Sequence, residues 1–249
     1  MKKFLLTFFI ACFAMSVSNA QMDLKSELKK ANKGDPDAAM YVGKYYYNGM
    51  FGSTPDIKKS ALYLTIAAIK GNYSSAKYNL GMIYFYGEGG IAADKKRGVL
   101  WLCESAMQGH ELAVKEIKKM TSDADAMCAL GTCYMTGAGI GKNPQTAVDS
   151  WKSAIDLNNH NTALFNLALA YNMGAGVEKD EKLSLEYMIK SAEAGNLDAC
   201  KNMIDFSKKA SDKDKWKKKH ALAFEKAKAK QKEVDAMLAE ALKQVKNSK

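Results

Sequence analysis

Apolar and polar positions along this chain recur with two nested periods. The longer is about 37 residues: Ala38 to Gly49, Ala76 to Gly87, Ala126 to Gly137 and Ala163 to Gly174 share the pattern A-x-x-x-[LV]-[GA]-x-x-Y-x-x-G. The shorter is helical, because Ala at i, Leu or Val at i+4 and Tyr at i+8 fall on one helix face. That face is expected to be core. Gly or Ala at i+5 marks a place where a partner backbone comes near.

A second pattern lies between these blocks. An aromatic residue stands eight positions before the next turn: Tyr63 before Gly71, Trp101 before Gly109, Trp151 before Asn159 and Tyr187 before Gly195. Each marks a second helix. Small residues follow at Ala67-Ala68, Ser105-Ala106 and Ser191-Ala192, allowing close approach, whereas the third copy departs with Ile155-Asp156. The link Gly-x-Gly, at Gly87, Gly137 and Gly174, ends the first helix through left-handed backbone. It recurs once per repeat without a following Gly-Lys-Ser/Thr, so it reads as punctuation and not as a phosphate loop.

The spacing of the marker alanine is uneven. Ala38, Ala76 and Ala113 are 38 and 37 apart, and Ala126, Ala163 and Ala199 are 37 and 36 apart, but only 13 residues separate Ala113 from Ala126. Single helices are therefore expected at about 111–120 and 197–208, closing two modules at 35–120 and 121–207, as terminal solenoid units are usually atypical. Residues 21–34 form a short leading helix. Asn72, His110, His160 and Asn196 read as equivalent turn residues.

The ends differ in composition. Lys2 and Lys3 precede an apolar run to about Val17 and then Ser18-Asn19-Ala20, which reads as a signal peptide over 1–20 cleaved after Ala20. A periplasmic or secreted protein is expected. Residues 208–249 hold 14 lysines against six Asp or Glu, +8 of the chain's +10. Trp216, His220, Ala223, Phe224, Ala227, Val234, Leu238, Ala241 and Val245 form a stripe with a period near 3.6, so this segment is expected to be a long amphipathic helix. It either packs back with its lysines solvated or offers them to an anionic surface. Nucleic acid is not expected, since no aromatic stacking platform adjoins the lysines.

The chain has 249 residues and three prolines, with 47% hydrophobic residues, which suits a folded helical protein. Cys103, Cys128, Cys133 and Cys200 remain after removal of the leader. Cys128 and Cys133 diverge on one helix and should not pair with each other; other pairing stays open beside ordinary buried thiols. No metal-ligand spacing or nucleophile motif is present, and neither cofactor nor enzymatic activity is expected.

These residues resemble the Sel-one-like repeat (SLR) family, relatives of the tetratricopeptide repeats, with the signature A-x-x-x-L-G-x-x-Y-x-x-G-x-G-V-x-x-D and a Trp-containing second helix. The second copy, from Ala76 to Asp94 with Trp101, matches it closely, as does the fourth from Ala163 to Asp180. The resemblance implies an all-α, right-handed superhelical solenoid of antiparallel helix pairs: four full repeats, single capping helices and the added C-terminal helix. It also implies an adaptor that binds a protein or peptide on the concave face of the first helices. Three positions after the marker alanine stand Tyr41, Asn79, Ala129 and Asn166. Asn79 and Asn166 resemble asparagines that clamp a peptide backbone, with Tyr41, Lys44, Tyr45, Met82 and Tyr86 nearby. Other SLR proteins suggest two alternatives: an immunity protein against an exported toxin, or a hydrolase active on cell wall or β-lactams. The hydrolase subgroup carries a cysteine pair in each repeat, whereas Cys200 faces Ala192 here.

Overall fold

A computed structural model describes residues 23–50 and 53–247; the expected leader, 1–20, lies outside them. The described residues are helical with no strand: α1 (23–31), α2 (Pro36–Asn48), α3 (Ile57–Lys70), α4 (Ser74–Tyr86), α5 (Lys95–Met107), α6 (Glu111–Ile117), α7 (Ala124–Thr136), α8 (Pro144–Asn158), α9 (Asn161–Met173), α10 (Glu181–Glu193), α11 (Leu197–Phe206) and α12 (Ala210–Asn247). Most of the helix starts have a chemical cause. Asp56, Asp94, Asn143 and Asp180 accept a hydrogen bond from the backbone N–H three residues on, at 2.9–3.1 Å, and so start the second helices. Asp35, His110, Asp123, His160 and Asn196 start first helices in the same way. The marker alanine supplies that N–H each time. First helices end on Gly49, Gly87, Gly137 and Gly174 in left-handed backbone, a conformation cheap only for glycine.

The chain falls into two compact units, one running to Ala93 and including the residues from Ala236 on, the other Asp94–Asp235. In the first, α2 packs along α3, and α3 packs on α4. Ala38, Val42, Leu64, Ile66, Ala67, Leu80 and Ile83 are buried. Gly43 lies against Leu64, while Ser60 donates to the Gly43 carbonyl at 2.8 Å. Tyr46 stacks on Tyr63, whose hydroxyl reaches Asn32 just beyond α1 at 2.7 Å. Leu242 of the last helix lies against Gly34.

The second unit repeats this construction. α7 packs along α8 and α9 along α10, with α8 on α9 and α10 on α11. Tyr171 stacks on Tyr187 as Tyr46 does on Tyr63, and Ser184 donates to the Ala168 carbonyl at 2.8 Å. The third copy substitutes an indole for this serine bond: Trp151 Nε1 donates to the Cys128 carbonyl at 3.2 Å. The expected single helices are α6 and α11, shorter than the sequence suggested at Ile117 and Phe206.

Asn72 corrects one alignment. His110, His160 and Asn196 cap helices, but Asn72 adopts φ 53 and Tyr73 takes the cap position without a side-chain bond. Asn72 therefore matches the left-handed turn residues Gly109, Asn159 and Gly195. This one-residue shift accounts for the spacing of 38 between Ala38 and Ala76.

Candidate functional site

With one side of each first helix committed to its partner helix, the residues at three, six and ten positions past the marker alanine form a second stripe. On α2 they are Tyr41, Lys44 and Asn48; on α4, Asn79, Met82 and Tyr86. On α7 they are Ala129, which is buried, Thr132 and Thr136; on α9, Asn166, Leu169 and Met173. Six of the seven residues expected from the sequence, Tyr41, Lys44, Tyr45, Asn79, Met82 and Tyr86, lie on α2 and α4 of the first unit. Asn166 alone lies in the second.

In the first unit Lys44 and Tyr86 are exposed, and Tyr41, Tyr45, Asn79 and Met82 are half-buried. Tyr45 meets Tyr46 edge-on at 5.2 Å, and Tyr86 meets Phe85 at 5.1 Å. Aromatic contacts of this kind fix ring direction while leaving area free. Tyr47 donates to Glu88 at 3.3 Å beside them. Burial raises the pKa of the Tyr41 hydroxyl, with Asp23 and Glu27 of α1 adding to the effect, so Tyr41 is a neutral donor. Asn79 forms no hydrogen bond among the described residues, which leaves its amide free to donate and accept.

In the second unit the stripe is less polar. Asn166 reaches Thr132 Oγ1 at 3.5 Å, and Thr132 bonds back to the Cys128 carbonyl at 3.1 Å. Asn166 is thus partly satisfied within the repeat, unlike Asn79. Met173, 64% exposed, ends the α9 stripe as Tyr86, 58% exposed, ends that of α4. Met173 was missed from sequence. The signal was there, since it sits ten residues past Ala163 as Tyr86 does past Ala76.

The thiols belong to the core. All four are buried and free. Burial pushes Cys128 up to about 12 and Cys133 up to about 11, and raises Cys103 and Cys200. Such thiols stay protonated and pack as small apolar groups. Cys200 donates at 3.3 Å to the carbonyl of Ala192, the residue it was expected to face.

Residues 36–72, 74–110, 124–159 and 162–196, together more than half of the chain, match the Sel1 repeat. No curated protein matches the chain. Among solved structures, a Sel1 repeat protein from Oxalobacter formigenes aligns at 22% identity over 76% of this chain and 89% of that one, with a TM-score of 0.39. A protective antigen of uropathogenic Escherichia coli strains, displaying an SLR fold, aligns at 25% identity over 80% of this chain and 41% of its own, with a TM-score of 0.39. A putative sel1 repeat protein from Klebsiella pneumoniae subsp. pneumoniae aligns at 16% identity over 72% and 96%, with a TM-score of 0.28. This chain thus spans less than half of the Escherichia coli antigen.

Proposed function

The chain belongs to the Sel1 repeat family of helical protein-interaction scaffolds, and from that premise we propose that it is an exported adaptor holding an extended peptide segment along its first helices. The observation that carries this reading is the stripe on α2 and α4. The stripe carries Tyr41 on α2 and Met82 and Tyr86 on α4, with Tyr45 next to it, and it includes Asn79, whose amide has no partner among the described residues. An unpaired amide next to aromatic and thioether side chains suits a backbone in extended form, with the amide bonding the peptide group and the rings covering side chains. Lys44 is the one charged side chain among the seven, so shape and hydrogen bonding dominate over charge. Export rests on the N-terminal pattern of Lys2, Lys3 and the apolar run, and is read out by the N-terminal sequence of the mature protein, expected to begin at Gln21.

The test compares partner recovery by the wild type and an Asn79→Ala/Asn166→Ala variant from periplasm or culture supernatant. Asn79 should carry most of the loss, since Asn166 already leans on Thr132. Equal recovery by both proteins would count against the first helices as the binding face.

A further inference from the structure

The long helix α12 is held at its start and bare in its middle. Trp216 is buried among Ala168, Met188, Ala192, Ala199, Cys200 and Met203. Lys215 reaches Glu193 at 3.2 Å, and Lys219 donates to the Glu193 carbonyl at 3.2 Å. Beyond the buried Ala223, every residue from Phe224 to Glu233 is exposed. The expected apolar stripe is therefore only partly docked, because Ala227 is exposed and Phe224 meets only the His220 ring of its own helix, at 6.5 Å, among the described residues. Lys226, Lys228, Lys230 and Lys232 follow Lys217 and Lys218 on this stretch, with Glu225 as the acid among them.

Helical geometry separates these lysines by role. Lys230 helps hold the Asp125 carboxyl ionised. Lys218, Lys228 and Lys232 project away from the side occupied by Trp216 and Ala223, and none has an ion-pair or hydrogen-bond partner among the described residues. Ala221 and Ala229 on the same side leave the backbone low and the ammonium groups proud. The row from Lys218 to Lys232 spans about 21 Å, at about 1.5 Å per residue. Leu222, 62% exposed, and Phe224, 52% exposed, flank it on opposite sides.

We infer that the outward side of α12 between Lys217 and Lys232 docks on an anionic phospholipid surface. Three observations favour a lipid layer over another polyanion. The cations are all lysines, point charges on flexible stems that need no fixed geometry and so suit scattered headgroups. The row lies along one side of a single continuous helix, a linear array that suits a flat surface. Leu222 and Phe224 gain from the acyl boundary and would gain little on a soluble polyanion. No described helix is long and apolar enough to cross a membrane, so the contact is peripheral.

Flotation of the full chain with phosphatidylcholine vesicles, and with the same vesicles containing phosphatidylglycerol, tests this. The wild type is expected to float only with the anionic vesicles, and to leave them in about 1 M salt, where the screening length falls to about 3 Å. The Lys218→Glu/Lys228→Glu/Lys232→Glu variant should bind at least about tenfold more weakly. The Leu222→Ser/Phe224→Ser variant should lose several-fold at low salt. All five positions are exposed, so unchanged far-ultraviolet circular dichroism will show that the fold is intact. Equal flotation with neutral vesicles, no flotation with either, or undiminished binding by the charge-reversed variant overturns the inference. So does binding to heparin as tight as to vesicles with no effect of Leu222→Ser/Phe224→Ser, which would make the row a site for soluble polyanions.

Discussion

Trp151 of α8 stands over the missing side chain of Gly131 in α7: a Cβ there would lie 2.5 Å from the indole Nε1 and 2.9 Å from the Ala147 carbonyl. The indole cannot retreat without releasing the Cys128 carbonyl, and the Ala147 carbonyl belongs to a helix backbone. Gly131→Ala should therefore destabilise the protein by about 1–3 kcal/mol, despite the roughly 1 kcal/mol that alanine gains in helix propensity. Thermal unfolding should show a lower midpoint. The fourth copy already carries Ala168 at this position opposite Tyr187, so Ala168→Gly should not stabilise.

Most of the fold was legible because the period of Ala, Leu or Val, and Tyr is set by burial, which a sequence displays directly. What stayed hidden was conformation at single residues. Asn72 and His110 look alike in a spacing argument, yet one supplies a left-handed turn and the other a cap. The α12 stripe misled differently. Phe224 and Ala227 have the correct period, but period records what a helix could bury and not whether a partner surface reaches it. The candidate stripe was legible as a position in the repeat, and the same rule carried to ten residues past the marker alanine reaches Met173.

His110 gives a pH dependence. Its Nδ1 accepts from the Ala113 N–H at 3.4 Å, so the cap needs the neutral ring, and burial lowers its pKa. A histidine whose folded pKa is depressed adds stability above its unfolded value, near 6.5, and that stability is lost as pH falls through the folded pKa. Denaturant unfolding from pH 7 to 5 should show a decline that His110→Asn flattens, because asparagine caps without titrating, as Asn196 does. Parallel declines in both proteins would refute the assignment.

Asp125 and His160 make a second acid-sensitive pair. His160 Nδ1 accepts from the Ala163 N–H at 3.3 Å, which leaves Nε2–H to donate to Asp125 at 3.0 Å. That hydrogen bond, joined by His160, Lys230 and Lys96 electrostatically, outweighs burial and lowers the Asp125 pKa. A depressed carboxyl contributes stability above its unfolded pKa, near 3.9, and loses it as pH falls through the folded value. Asp125→Asn should be less stable than the wild type at pH 6, and the gap should close toward pH 3.

Binding along the first helices should depend on the residues that are free, not on those that pack. Tyr86→Ala should weaken partner capture by about tenfold or more, in the range of aromatic interface anchors, while the unfolding midpoint stays within about 1 °C because the ring is exposed. Tyr46→Ala should instead lower stability, since Tyr46 stacks on Tyr63 at 5.8 Å. A Tyr86→Ala protein that binds normally would move the contact off α4.

Trp216 should decide whether the start of α12 stays docked. The surrounding ion pair cannot do so: Lys215 and Glu193 are both about half exposed, and such pairs contribute about 0–1 kcal/mol. The indole meets Met188, Met203 and Cys200 in a buried cluster and has Lys215 Nζ over its ring at 4.4 Å. Trp216→Ala should remove about 3–5 kcal/mol of packing there. Because cleavage of a locally opened segment follows its opening equilibrium, trypsin should cut at Lys213 to Lys219 at least about a hundredfold faster, with the helix pairs α7–α8 and α9–α10 still resistant. Trp216→Phe should recover most of the protection, and Glu193→Gln should change it little. If Glu193→Gln opened the segment as far as Trp216→Ala, charge and not burial would be what holds α12 in place.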